Sequence, residues 1–215
     1  TTSRRSFLKA GALLGGGLMI SFTVPGAKRL AAMGAAASED AVAWFVPNAY
    51  LSIGADDTIR VILAHAEMGQ GIWTTLSMLI AEELDADWSK FKIEHAPPGA
   101  PYLHTAYGMQ ITGGSSTTWS EFDRYRQAGA LARTMLVEAA AKKLGVNPSD
   151  CRTENGVVIA GDKRVSYGQV AALAATLPPR TEPVPLRPPG EWKYIGKGVK
   201  RLDAPEKVNG GAKFG

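Results

Sequence analysis

Glu67-Met68-Gly69-Gln70-Gly71 is the stretch from which the fold can be read outward. It follows Thr58–His65, where Ile59, Val61 and Leu63 fall on one face with a period of two, as in a strand. It precedes Ile72–Leu84, where Leu76, Leu79, Ile80 and Leu84 recur at helical spacing. Gly69 and Gly71 allow a positive φ, or close approach of the backbone to a ligand, at the bend between them. The first N–H groups of a helix have no acceptor within it, so the bend favours an anion such as a phosphate. Gln70 adds a donor and an acceptor without charge, suited to an oxo group or a heterocycle. Spacing alone serves a tight strand-to-helix turn equally well.

Gly113-Gly114-Ser115-Ser116-Thr117-Thr118 repeats the theme ahead of a second, longer helix. That helix is expected from about Trp119 to Leu144, with Gly145 as its stop. Two glycines and four hydroxyls there make either another anion site or an ordinary N-cap. Two such helix starts in one chain would suit a ligand with two phosphates, such as a dinucleotide. Trp73 and Trp119 follow the two bends, and could wall a site or simply pack.

Around these bends, Ser38–Asn48 reads as an extended lead-in. Ala49–Ile53 pairs with Thr58–His65 across a turn at Asp56-Asp57. Phe91–His95 is a short strand, and Ala96–Gly114 an irregular loop. Cys151–Tyr167 forms a small hairpin turning at Gly161-Asp162, and Ser166 opens a short helix to about Thr176. Six prolines between Pro178 and Pro189 mark a linker over 179–191. The fold class expected is α+β, strands packed on two or three helices.

The chain has 215 residues and a net charge of +4. A pI near 9.2 hints at nucleic acid. The charge is local, however: Arg4, Arg5, Lys9, Lys28 and Arg29 stand in residues 1–37 without an acidic residue. Removing those five leaves 19 basic against 20 acidic residues, a net of −1, so no nucleic-acid partner is expected. The single cysteine, Cys151, excludes a cysteine-based zinc or iron–sulfur site. His65, His95 and His104 lack the spacing of a helix-borne metal set, so no protein metal ligand is expected. No Gly-x-Ser-x-Gly elbow occurs, and Gly196-Lys197-Gly198 lacks a P-loop frame. Glu82 and Glu83, adjacent on a helix, point in different directions and are expected to be solvated.

Ser3-Arg4-Arg5-Ser6-Phe7-Leu8-Lys9 precedes a glycine-rich apolar run to Val24, and small residues continue to Ala37. This is the three-part layout of an export signal. The paired arginines resemble the twin-arginine type. Residues 1–37 are thus expected to be a signal, with Ala35-Ala36-Ala37 a cleavage site, and the protein to be periplasmic or on the periplasmic face of the membrane. An uncleaved anchor helix is the plainer alternative.

Taken with Thr74 and Ala81-Glu82-Glu83-Leu84, the first bend resembles a segment of the molybdenum hydroxylases, the xanthine dehydrogenase and aldehyde oxidase family. Tyr107-Gly108 and Ser115–Thr118 fit the same pattern. Tyr194–Val208 resembles the start of that family's hammerhead domain. Most members place the hammerhead first. The order here is similar to the large (beta) subunits of the isoquinoline 1-oxidoreductase and membrane-bound aldehyde dehydrogenase types.

The resemblance implies a partial molybdopterin-binding domain over 38–178 and a hammerhead beginning at 192–215. It implies a molybdenum cofactor in its molybdopterin cytosine dinucleotide form. Met68, Gly69, Gln70 and Gly71 would meet the pterin dithiolene and the oxo group, and Ser115, Ser116, Thr117 and Thr118 the pyrophosphate or pterin. The activity implied is hydroxylation of aldehydes or N-heterocycles with water as the oxygen source. Electrons would leave to a small [2Fe-2S] subunit, and in exported members commonly to a c-type cytochrome subunit. No residue matches the family's late catalytic glutamate, so no catalytic residue is assigned. The missing start Met and the stop at Phe214-Gly215 suggest a fragment, inactive alone. The rival from another class is an exported, non-catalytic binding or scaffold protein that kept the cofactor site.

Overall fold

A computed structural model describes residues 44–212 except 179 and 181. The expected signal of residues 1–37, its cleavage site and Phe214-Gly215 lie outside the described residues. Strands β1 (Trp44–Asn48), β2 (Leu51–Gly54), β3 (Ile59–Leu63) and β4 (Phe91–His95) form one sheet in that order. The first three run antiparallel, with the β2–β3 turn at Asp56-Asp57. Strand β4 lies parallel to β3, which requires a crossover, and helix α1 (Ile72–Leu84) is that crossover. The expected alternation on β3 holds: Ile59, Val61 and Leu63 are buried, while Arg60 and Ile62 are partly exposed.

Helix α2 (Thr117–Leu144) packs along α1 and ends, as expected, at Gly145 in the left-handed region. The two helices approach closely at Gly129. A Cβ there would stand 2.7 Å from the Ile80 carbonyl oxygen, so only glycine fits. The expected single hairpin over 151–167 is a three-stranded meander, β5 (Arg152–Glu154), β6 (Val157–Ala160) and β7 (Lys163–Ser166). Asn155 and Gly156, both at positive φ, add a second tight turn that the sequence reading missed. Ser166 opens helix α3 (Tyr167–Ala174) with a capping box completed by Gln169. A last short helix, α4, spans Ala204–Val208. Among the described residues no helix is long and apolar enough to cross a membrane.

Glu82 and Glu83 correct an expectation: they are not solvated but 1% and 0% exposed. The chain at 187–195 covers them, and its main-chain amides have no strand partner. Glu82 accepts hydrogen bonds from the amides of Lys193, Tyr194 and Ile195 at 2.7–3.0 Å. Glu83 accepts from the Arg187 amide at 3.0 Å and from the Arg126 guanidinium of α2 at 2.7 Å. Asp85 follows, paired with Arg187 at 2.9 Å and Lys193 at 2.7 Å. Three acidic residues at the end of α1 and its cap, Glu82, Glu83 and Asp85, thus fasten the segment after the prolines.

Replacing Glu82 by Leu keeps the bulk but removes the acceptor of three amides. Stability should fall by about 1–3 kcal/mol, the range for buried donors left unpaired. Limited proteolysis should then cut between Arg187 and Tyr194 first. An unchanged denaturation midpoint and cleavage pattern would contradict this role.

Candidate functional site

Both glycine-bearing bends form where expected. Gly69 and Gly71 adopt φ of 102° and 91°, conformations that side-chain-bearing residues avoid. The anion expected at the start of α1 is supplied from within. The Glu67 carboxylate accepts from the amides of Gly69 at 2.7 Å, Gly71 at 3.0 Å and Trp73 at 3.1 Å. Burial alone would raise the Glu67 carboxyl pKa, but those three amides and the Arg201 guanidinium outweigh it and hold it below the usual range. The expectation of unpaired amides at this bend is therefore corrected.

Gln70 folds back on its own bend. Its Oε1 accepts from the Met68 amide at 2.5 Å and its Nε2 donates to the Ala66 carbonyl at 2.8 Å. Met68 projects outward, 67% exposed. Arg201, from the segment leading into α4, donates to the Gly69 carbonyl at 3.0 Å, and the Leu202 amide donates to the Thr74 hydroxyl at 3.0 Å. A groove of about 380 Å³ lies beside the bend, lined by Glu67, Met68, Gly69, Trp73, His95 and residues 203–212 in part. Trp73 therefore does wall a groove, with its indole N–H donating to His95 at 3.3 Å.

The second bend is built differently. Gly114 and Ser115 take positive φ, and Ser116 is the N-cap of α2. Ser116 makes no side-chain cap; its hydroxyl donates to the Gly113 carbonyl at 2.8 Å. No acidic residue stands in the first turn of α2. Ser116 and Thr117 are buried, whereas Ser115 and Thr118 are exposed and engage no partner among the described residues. Trp119 beside them is exposed and meets the His104 ring edge-on. This bend does not line the groove beside Met68.

The two bends are nevertheless neighbours. The Ala66 amide donates to the Thr112 hydroxyl at 2.8 Å, and His65 Nδ1 lies 2.8 Å from the Ile111 carbonyl. Sequence reading left both His65 and His104 as undistinguished histidines. The structure buries both at the junction of the bends, while His95 stays exposed. Among the described residues no group of His, Cys, Asp and Glu could hold a metal ion.

Comparison with known proteins gives this geometry a family. A model described as molybdopterin cofactor-binding domain matches residues 10–212. The chain belongs to that family. It is 37% identical to the membrane-bound aldehyde dehydrogenase (pyrroloquinoline-quinone) of Gluconacetobacter polyoxogenes, over 99% of this chain and 27% of that protein. It is 32% identical to isoquinoline 1-oxidoreductase subunit beta of Brevundimonas diminuta, over 99% of this chain and 31% of that one. The chain thus spans less than a third of the length of these relatives. Quinoline 2-oxidoreductase from Pseudomonas putida 86 overlaps 61% of this chain and 17% of its own, at a TM-score of 0.44 and 21% identity. The α+β architecture and the resemblance to the molybdenum hydroxylases stand as expected.

The Glu67 carboxyl has a lower pKa folded than unfolded. Its stabilising contribution is therefore complete above the ordinary carboxylate range and is lost as pH falls through the folded value. Glu67→Gln should flatten that acid limb and lower stability near neutral pH by about 1–2 kcal/mol. Denaturant melts of both forms across pH 3–7 (the range bracketing about pH 4.3 for an ordinary Glu) test this. Parallel pH curves would refute it.

Proposed function

We propose that the protein carries the molybdopterin-binding part of an exported oxidoreductase that hydroxylates aldehydes or N-heterocycles, with water as the oxygen source. The family match over 10–212 is the observation that carries this reading. The names of the two relatives supply the two substrate classes. When bound, the cofactor supplies a molybdenum centre that accepts two electrons as the C–H bond is oxidised.

The chain's own residues fit such a guest in a divided way. Glu67 already meets the amides at the start of α1, so the first bend is less suited than the second to the pyrophosphate. The space beside the Gly69 Cα is open, since a Cβ there would meet nothing within 4 Å, and the Met68 side chain is exposed. The first turn of α2 holds no acidic residue, and among the described residues the Ser115 and Thr118 hydroxyls engage no partner. A pyrophosphate belongs there, stabilised by the helix N-terminus. The cytosine dinucleotide form, a small [2Fe-2S] subunit and a c-type cytochrome subunit complete the proposal. Residues 38–178 would be the cofactor-binding part, 179–191 the linker and 192–215 the start of the hammerhead.

Protein purified from a host that makes the cofactor should contain molybdenum, and acid treatment should release cytidine monophosphate. Neither metal nor pterin nucleotide would favour the scaffold reading, and pyrroloquinoline quinone in their place would point to the group named for the aldehyde dehydrogenase relative. Gln70→Ala should cut turnover strongly while leaving the fold largely intact, because it loosens a polar bend at the reacting centre. Unchanged turnover would make the glutamine part of the turn only.

Residues 1–37 are proposed to direct the protein to the periplasm by the twin-arginine route. Replacing Arg4→Lys together with Arg5→Lys should leave the protein in the cytoplasm on fractionation. Continued appearance in the periplasm would exclude that route.

A further inference from the structure

A buried polar cluster lies between the two bends. His65 leaves the end of β3 two residues before Glu67. Its Nδ1 is 2.8 Å from the Ile111 carbonyl and its Nε2 3.2 Å from Glu121 Oε1 on α2. Both side chains are essentially inaccessible. Glu121 Oε1 also accepts from Arg124 at 2.9 Å and from the Ser120 hydroxyl at 3.3 Å. Arg124 continues to the carbonyls of Leu103 at 3.1 Å and Pro101 at 2.7 Å, and to the Tyr50 hydroxyl. Tyr125 ties α2 to the same strand end, accepting from the Ala64 amide and donating to the Ile62 carbonyl, both at 2.9 Å.

These bonds meet immediately before each bend. Ala66, bonded to Thr112, precedes Glu67; Thr112 precedes Gly113. The solvent-exposed Ala66–Thr112 bond and the partly buried His65–Ile111 contact thus tie the residues just before the two bends to each other. The cluster is also poorly built for stability alone. Glu121 Oε2 and His104 Nε2 are buried without a partner among the described residues. Such unpaired groups cost free energy, and apolar replacement of buried ionic groups is often neutral or stabilising. Buried polar groups of this kind serve in some proteins to fix geometry.

We propose that His65 and Thr112 are positioning residues: they fix the spacing of the two glycine bends so that both can hold one dinucleotide cofactor. This rests on the cofactor reading above. Neither residue touches the cofactor in this proposal; they act through Glu67–Gly71 and Gly113–Thr118.

The test uses the protein purified with its cofactor loaded, and follows pterin nucleotide retained per protein after gel filtration. Thr112→Val keeps the shape and removes the acceptor of the Ala66 amide. His65→Phe keeps a ring and removes both polar contacts. Each should speed nucleotide loss about tenfold, the scale of one lost hydrogen bond. Thr112→Ser, which keeps the hydroxyl, should retain nucleotide like the wild type. Thr112→Val should do this without moving the thermal midpoint of the nucleotide-free protein, which a merely structural role would shift. Should His65→Phe fail to fold, the two Thr112 variants decide alone. A loaded wild type whose Thr112→Val variant keeps its nucleotide, or loses it only in step with a lowered midpoint, overturns the positioning role and leaves the cofactor reading standing. A wild type with no pterin nucleotide overturns both.

Discussion

Main-chain amides in irregular segments must find acceptors when buried, and here side-chain carboxylates around α1 provide them. Glu67 takes three amides at the helix start, and Glu82 takes three at the far end. Burying a carboxylate is costly, but charge-assisted hydrogen bonds from several N–H groups offset that cost. The segment before α1 and the segment 187–195, more than a hundred residues later, are thus pinned to opposite ends of one helix. Without these acceptors neither segment has a strand partner.

The same helix must lie close to α2 for this to work. Gly129 permits the close approach, and Arg126, one turn earlier on α2, reaches Glu83 because of it. Glu83 therefore joins three parts of the chain: α1, α2 and the segment at Arg187. The parallel pairing of β3 and β4 adds a further constraint, because it holds the strand that leads into the first bend between two neighbours. The bend starts from a strand with little freedom, which is what a fixed binding geometry requires.

Periodic segments were legible in the sequence. Helix α1 and strand β4 occupy the residues that hydrophobic spacing and turn residues assign to them. The positive φ of Gly69 and Gly71 was legible too, since glycine density between a strand and a helix has few other uses. Glu82 and Glu83 were misread because adjacency on a helix gives direction but not what lies opposite. Their cover comes from a proline-rich stretch whose path no local pattern reveals. Glu67 was legible in principle as an acidic residue just ahead of a helix start, yet the bend was read as open. His65 with Ile111 and Glu121, and Ala66 with Thr112, meet across 46–56 residues of separation, which carries no local signal.

The two helix starts look alike in sequence and differ in charge. At α1 the partial positive charge of the helix end is already met by Glu67, so a second anion there would meet repulsion from a carboxylate held ionised by three amides and Arg201. At α2 the first turn has no acidic residue, Ser116 turns its hydroxyl back to Gly113, and Ser115 and Thr118 face outward. An anionic group therefore gains more at the second start than at the first. A ligand that carries its phosphates at one end would gain from placing that end at the second start. On the proposed reading this is why the pyrophosphate is assigned to Ser115–Thr118 and the pterin end to Met68–Gly71, and not the reverse.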